Sequence, residues 1–399
     1  MPSCSTPENP KTDALKILLI ANYENDRQES MLRFAYGLES ELEKIGVAVE
    51  VIRPRLFFGR LWRGVAGIGK WLGYMDKFIV FPFELKHRLL RLGGDSVVHI
   101  CDHSNAFYTR YLKKIPHLVT CHDLLAVRAA RGEFSRARTG PTGKLLQHWI
   151  LNGLRRARRI VCVSQATRRD LLRLLDGKSG IATCMGLHQS YSPMPVAQAL
   201  ERVRPLIGGK GGYILHVGGN QWYKNRPGVL SIYQALCEIT PQVKLVMVGP
   251  PFDSAMNAFL KKHRAVASNV ASLQDVDNED LRALYSAAEL LLFPSYEEGF
   301  GWPIVEAQAC GCRVLTTGKA PMNEAGGRAA VYLPEPPQDD ERMPSWSRES
   351  ARMVARALEQ TGAERANMVA EGLQNAAGFS VAGMTRRYLA IYQELLYKS

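Results

Sequence analysis

No window of this 399-residue sequence holds the roughly 18 to 20 consecutive apolar residues that a membrane-spanning helix requires. The opening stretch, MPSCSTPENPKTDA, lacks the apolar core of a secretory signal. Residues 1–14 are therefore expected to form a flexible tail, and the protein to be cytoplasmic. A disulfide framework is missing too. Cys4, Cys101, Cys121, Cys162, Cys184, Cys237, Cys310 and Cys312 are scattered, and most lie inside apolar runs such as RIVCVS and LVTCHD. That placement predicts reduced core thiols. Cys310-Gly-Cys312 has no second Cys or His pair at zinc-site spacing, so no metal site is assigned. Solenoid repeats and low-complexity stretches are absent as well.

Acidic residues are scarce in one half only. Residues 1–195 carry 30 Lys and Arg against 17 Asp and Glu, whereas 196–399 carry 21 of each, so the whole net charge of +13 belongs to the first half. Such an asymmetry predicts an anionic partner there: a phosphorylated acceptor, a lipid headgroup surface or nucleic acid. The stretch 53–92 concentrates it, with nine basic and two acidic residues interleaved with eight aromatic ones. Arg155 to Arg159, Arg168, Arg169 and Arg173 add to it. Basic residues with Trp and Phe at helical spacing suit a helix lying on a membrane surface. A packed core face or a solvated basic face would read the same way. No nucleic-acid-reading module is recognisable, so nucleic acid is not expected.

Short apolar runs alternate with helical patterns along the chain. LKILLIANYE (15–24), VAVEVIRP, 96–101, 117–121 and 159–163 read as buried parallel strands, with a helix at roughly 29–45. MPVAQALERVRPLIGGKGG (194–212) contains Pro and paired Gly and reads as a linker. A second alternation follows through 213–219, 243–249, 270–273, 289–295 and 313–317, and the chain is helical after about 345. Two facing doubly wound, Rossmann-like α/β domains are expected, over 15–195 and 213–380, with a ligand cleft between the carboxyl ends of their sheets.

FPSYEEGFGWPIVEAQACG (293–311) is the most specific segment. A strand ends at Phe293-Pro294, and a helix begins near Pro303, a residue suited to a first helical turn. Gly299 and Gly301 let the loop approach a ligand, and the amides from Phe300 through Trp302, Ile304 and Val305 are expected to face an anion. One of Glu298 and Glu306 can then reach a sugar hydroxyl while the other accepts the two hydroxyls of a ribose. In YILHVGGNQWYKNRPGVL (213–230) a strand ends at Gly218-Gly219, and Lys224-Asn225 precedes a helix, placing Lys224 to reach phosphate oxygens. Asp275-Val276-Asp277 has the D-x-D spacing of a metal site, but Asp277 followed by Asp280 reads better as a helix cap.

The E-x7-E pair around GFGWP, followed by EAQACGCRVLTT, resembles the donor-site signature of family 4 retaining glycosyltransferases with the GT-B fold. The resemblance runs from KILLIANY to the last helix, GMTRRYLAIYQELL, which by that similarity crosses back to the first domain over 381–399. It implies that Glu298 contacts the transferred sugar, Glu306 the ribose and Lys224 the departing diphosphate. It also implies that Gly249 lies beside the nucleotide and that backbone from Leu273 to Val276 reads the base. One departure stands out: Asn220 occupies the position where the family uses an Arg, with Arg226 and Arg128 as neighbours able to supply the charge.

In the first half, VVHICDHSNAFY and HLVTCHDLLAV place His and Asp at strand ends. His122 resembles the family's cleft histidine, and Asp102, His103, Asp123 and Arg128 are candidates to meet an acceptor. Ser164 reads as a helix cap. The first strand–helix turn, NYENDRQESM, has no glycine, so side chains including Arg27 and Gln28 are expected to meet the acceptor. The resemblance therefore implies a retaining, metal-independent transfer of a sugar from a UDP- or GDP-sugar, used as substrate without a cofactor, to an acceptor hydroxyl. An epimerase or phosphorylase is the rival enzyme. A catalytically weak scaffold at a membrane surface is the rival binder, and Asn220 is the residue that favours it.

Overall fold

The computed structural model describes residues 15–26, 28–60, 68–208 and 212–397; the tail expected over 1–14 and Arg27 lie outside them. Runs of Ile, Leu and Val form β1 (Lys16–Ile20), β2 (Ala48–Ile52), β3 (Ser96–Ile100), β4 (His117–Cys121), β5 (Arg159–Cys162) and β6 (Ile181–Thr183). They pair in parallel in the order β2-β1-β3-β4-β5-β6. A second parallel sheet contains β7 (Tyr213–Val217), β8 (Lys244–Val248), β9 (Val270–Leu273), β10 (Leu290–Phe293), β11 (Val314–Thr317) and β12 (Ala330–Leu333). Its order is β12-β11-β10-β7-β8-β9. Helices cover both faces of each sheet, which is why β3, β4 and β10 are buried along their whole length. The described cysteines are all free thiols, and all but Cys237 are buried.

These strand orders decide where ligands can sit. In each sheet the chain leaves one central strand toward one edge and returns to build the other, opening a crevice at the carboxyl ends of the two central strands. The crevice lies between β1 and β3 in the first domain and between β7 and β10 in the second. Asn22, Asp102 and His103 follow β1 and β3, while Gly218 to Asn220 and Ser295 to Glu298 follow β7 and β10. Both sets of candidate residues therefore occupy switch points.

The stretch expected as a linker differs. Val196–Ile207 is a helix, and its Ala199, Val203 and Ile207 pack into the core of the second domain. Spacing of four between these three residues outweighs Pro205 in the last turn. The chain's final helix, Val381–Tyr397, does return to the first domain. There the Tyr392 hydroxyl meets His99 Nδ1 at 2.8 Å, His99 Nε2 meets Thr120 at 2.7 Å, and Thr120 meets the Tyr388 hydroxyl at 2.8 Å. All four residues are buried, and burial pushes the His99 pKa down to about 3, so the chain of hydrogen bonds is neutral.

Ion pairs join the domains along one flank of the cleft. Arg128 lies 2.9 Å from Glu133, 3.0 Å from Asp170 and 3.3 Å from Glu297 of the second domain. Glu324 of the second domain takes the Gln165 amide at 2.7 Å and the Arg169 guanidinium at 3.3 Å. Arg136 reaches Asp340 at 3.0 Å. Removing both central partners, as Arg128→Ala with Glu324→Ala, is expected to favour an open arrangement. Solution X-ray scattering then gives a larger radius of gyration with unchanged circular dichroism; an unchanged radius means the pairs do not hold closure.

On the other side of the first domain, the buried Asp76 carboxylate accepts from the Tyr23 hydroxyl at 2.8 Å and from the amides of Phe57, Phe58 and Gly59 at 3.2, 2.9 and 3.0 Å. One side chain thus satisfies a whole turn after β2 and ties it to the loop after β1. Asp76→Ala leaves those donors unpaired and is expected to cost roughly 3 kcal/mol or more, read as a lower urea midpoint.

Candidate functional site

The second domain contributes the loop between β10 and the helix Trp302–Ala309. Glu298 is only 8% exposed there. Ser295 Oγ donates to its Oε1 at 2.9 Å, and Lys224 Nζ lies 2.9 Å from both carboxylate oxygens. Burial raises the Glu298 pKa, and Lys224 and Ser295 act against that rise. Lys224 is placed by the residue after it. Asn225 adopts φ +51°, caps the following helix by accepting from the Gly228 amide at 3.2 Å, and donates to Pro294 O at 2.9 Å. The loops after β7 and β10 are thereby fastened together.

Glu306 sits in the first turn of the next helix, 5% exposed, and accepts from the Tyr285 hydroxyl at 2.8 Å. Burial raises its pKa to about 7, although Tyr285, Arg33 and Lys224 pull it down. Gly301 starts that helix at φ +98°, a conformation that favours glycine. The set of amides expected to face an anion is narrower than the sequence suggests. The Ile304 N–H returns to Gly301 O at 3.0 Å and Val305 is already inside the helix, so Phe300, Gly301 and Trp302 are left without backbone partners among the described residues. Trp302 is tied elsewhere too: its indole N–H donates to Gly186 O at 3.1 Å.

Gly218 and Gly249 meet where β7 and β8 end, with the Gly218 amide on Val248 O at 3.0 Å and the Gly249 amide on Leu273 O at 2.9 Å. Gly219 leads into Asn220, whose amide donates to Pro251 O at 2.8 Å. Arg226, 1% exposed, donates to the Asn220 side chain and to Pro250 O, the latter at 2.8 Å. It lies over the Phe252 ring at 5.2 Å, and its Nε and Nη2 have no partner among the described residues. A guanidinium therefore stands behind Asn220, at the turn where the sequence lacks the expected Arg. Arg128 cannot serve there, because Glu133, Asp170 and Glu297 share it. Leu273 and Val276 pack partly against the core beside this turn. Asp277 caps the next helix by accepting from the Asp280 amide at 2.7 Å.

Across the cleft, His122 is 4% exposed. Its Nε2 donates to Cys101 O at 2.8 Å, so Nδ1 keeps its lone pair, and Nδ1 is buried without a partner among the described residues. Burial lowers the His122 pKa, although Asp102 and the Cys101 carbonyl oppose this, and the ring is neutral. Asp102 accepts from Asn22 at 2.6 Å and from the Ser104 hydroxyl at 2.5 Å, with His103 Nδ1 at 3.0 Å. Against its burial, His103 and the Ser104 hydroxyl hold Asp102 well below the usual carboxylate range. Burial works against a charged His103, but Asp102 and Asp123 outweigh it and raise its pKa. Gln28 accepts from Asn22, and Asp123 takes the Leu125 amide at 2.9 Å.

At the site the backbones of the two domains come together at Gly299. A Cβ added to Gly299 would fall 2.0 Å from His122 O, and Ser164 and Thr167 hydroxyls donate to Gly299 O at 2.6 and 3.1 Å. Ser164 is also a helix cap, accepting from the Thr167 amide at 3.0 Å. His122, Glu298 and Trp302 meet at this contact, Lys224 joins it through Glu298, Glu306 follows Trp302 by one helical turn and Arg128 borders it through Glu297, whereas Gln28 is bonded to Asn22. Tyr285 and His188 were not anticipated. Tyr285 falls on the core face of a helix, and His188, which packs on Trp302 at 5.1 Å, carries no motif.

Residues 32–179 match the model of Glycosyltransferase Family 4, and residues 198–340 that of Glycosyl transferases group 1. O-antigen chain mannosyltransferase B of Escherichia coli is 29% identical over 179 residues, 44% of this chain and 47% of that protein. A D-inositol 3-phosphate glycosyltransferase of Salinispora arenicola is 34% identical over 128 residues, 30% of this chain and 29% of that protein. The match thus spans less than half of the length of these relatives. Among solved structures, sucrose-phosphate synthase from Thermosynechococcus elongatus superposes with a TM-score of 0.73 at 18% identity, covering 96% of this chain and 100% of that one. Anabaena HepE in complex with UDP and glucose gives 0.67 at 16% identity, covering 94% and 98%. Two family models side by side, over two switch-point domains of this topology, settle the assignment: the chain belongs to the family 4 glycosyltransferases and has their GT-B fold.

Proposed function

We propose that this protein transfers a sugar from a UDP- or GDP-sugar to an acceptor hydroxyl, with retention of configuration and without a metal. The observation that carries the reading is the Lys224–Glu298–Ser295 cluster pressed against His122 across the Gly299 contact. Lys224 has three N–H donors, so it can hold Glu298 and still reach a phosphate oxygen. With the amides at the start of the Trp302–Ala309 helix, it meets charge that grows on the departing diphosphate. Arg226 adds fixed positive charge behind Asn220, which weakens the case for an inactive scaffold.

Glu298 is suited to accept a hydroxyl of the transferred sugar, and the free Nδ1 of His122 to accept another from the opposite wall. Glu306 accepts the ribose hydroxyls, with Tyr285 fixing one of its oxygens. Asp102, His103 and Asp123 line the acceptor side. HepE, solved in complex with UDP and glucose, shares this fold, which supports a nucleotide-sugar site here. Closure of the cleft by the ion pairs around Arg128 excludes water that would hydrolyse the donor.

Calorimetric titration of UDP, GDP and ADP tests the site. Micromolar binding of one nucleotide without added metal, lost in Glu306→Ala, is the expected result; no binding of any returns the scaffold reading. Lys224→Ala and Glu298→Gln are each expected to lower the transfer rate about 100-fold, measured as kcat with the nucleotide so identified.

The Glu306 carboxyl also predicts a pH dependence. Its pKa of about 7 means that it gains a proton, and loses an acceptor for ribose, as pH falls through that value. Nucleotide affinity should weaken below pH about 7 in the wild type and lose that dependence in Glu306→Gln. Stability has the opposite sign. The folded state holds this proton more tightly than the unfolded chain does, so Glu306 weighs against folding as pH rises from the ordinary carboxylate range toward 7.

A further inference from the structure

Residues Ile68–Met75, Asp76–Val80 and Phe81–Leu89 form one nearly continuous helix with a π turn in its middle. Its outer face is apolar. Trp71, Met75, Ile79 and Phe83 are 62%, 36%, 52% and 70% exposed. A spacing of four drifts by about 40° per step around an ideal α-helix. The wider π turn, which spans Ile79, takes part of that drift back and keeps the four side chains in one stripe. The stripe continues onto a neighbouring helix, Pro141–Arg156. Phe78 lies 6.1 Å from Trp149, which is 48% exposed, and Leu145, one turn earlier, is 53% exposed.

Charge around this face has one sign. The helix carries two acidic residues. Asp76 is buried under four hydrogen bonds, and Glu84 is paired with Arg55. Pro141–Arg156 has none. Lys86 and Arg110 are exposed and lie over the Tyr111 ring at 5.4 Å each, beside Phe83, and exposed Lys144 precedes Leu145. No described helix is long and apolar enough to cross a membrane. An apolar stripe of large side chains framed by unopposed cations fits the boundary between acyl chains and anionic headgroups.

We infer that this face docks the protein onto the surface of an anionic lipid bilayer, with Trp71, Ile79, Phe83 and Trp149 entering the interface and Lys86 and Lys144 on the headgroups. The inference stands apart from the transfer reaction, because docking is read without catalysis. It also has a structural consequence. Asp76 and Lys77 of the same helix bond Tyr23 and Asp26 after β1, both at 2.8 Å, so the docked face is fastened to the loop at the acceptor side of the cleft.

Vesicle flotation with the full chain tests it, using phosphatidylcholine alone and phosphatidylcholine mixed with phosphatidylglycerol. The wild type is expected to float with the anionic vesicles and to be released by salt. Trp71→Ser with Phe83→Ser is expected to weaken binding about tenfold or more. Lys86→Glu with Lys144→Glu should weaken it similarly, and Ile239→Ser, an exposed apolar residue on the second domain, should leave it unchanged. Unchanged thermal melting certifies the fold of each variant. Equal binding to both vesicle types, or full binding by the double serine variant, overturns the inference. So does a concentration-dependent dimer that the serine variant abolishes, which would assign the face to a second copy of the chain.

Discussion

Everything in the cleft depends on how closely the Gly299 backbone approaches His122. The carbonyl of His122 lies where a Cβ of residue 299 would be, and the Gly299 carbonyl is itself gripped by two hydroxyls of the first domain. A side chain at 299 would force the loop off the opposite wall, and Glu298, one residue earlier, would move with it. The geometry of this part of the cleft is therefore set by an absent side chain. The ion pairs along the flank complement this contact: Arg128 and Glu297 are mostly buried, whereas Arg169, paired with Glu324, is largely exposed.

Burial of charge is the second constraint. Glu298, Glu306 and Arg226 are all nearly inaccessible, and each meets the cost of leaving water differently. Glu298 has Lys224 and Ser295 around it. Glu306 has one tyrosine hydroxyl and distant cations, which is why its pKa rises to about 7. Arg226 has a carbonyl, an amide oxygen and an aromatic face, but two of its nitrogens have no partner among the described residues. The less completely a buried group is satisfied by the protein, the more it gains from a ligand that completes it. By that measure Glu306 and Arg226 have more to gain than Glu298, and both stand on the side of the site assigned to the nucleotide.

The second domain was more legible in the sequence than the first. Its chemistry rides on turns whose residues have local reasons to be there: Gly301 for its positive φ, Pro303 for the helix start and Asn225 for a left-handed cap. Such signals need no knowledge of the rest of the fold. What escaped was tertiary. Arg128 was a plausible counter-charge until Asp170 and Glu297, far away in sequence, claimed it. Tyr285 sits at a core position like any other, and only the folded chain brings it to Glu306. The 194–212 stretch misled because Pro and paired Gly outweighed the i, i+4 spacing of Ala199, Val203 and Ile207.

The glycine-free first turn shows why the acceptor side resists reading from sequence. After β1 the chain uses Asn22, Tyr23 and Asp26, each bonded to a residue from another element, Asn22 to Asp102, Tyr23 to Asp76 and Asp26 to Lys77, while Gln28 is bonded to Asn22 within the turn. A glycine-rich turn would leave room for a ligand against bare backbone. This turn instead fills that room with side chains and transmits the position of the helix 68–89 to the floor of the cleft. The side chains of this turn are thus held from outside the cleft, and whatever moves that helix moves the wall that the turn forms.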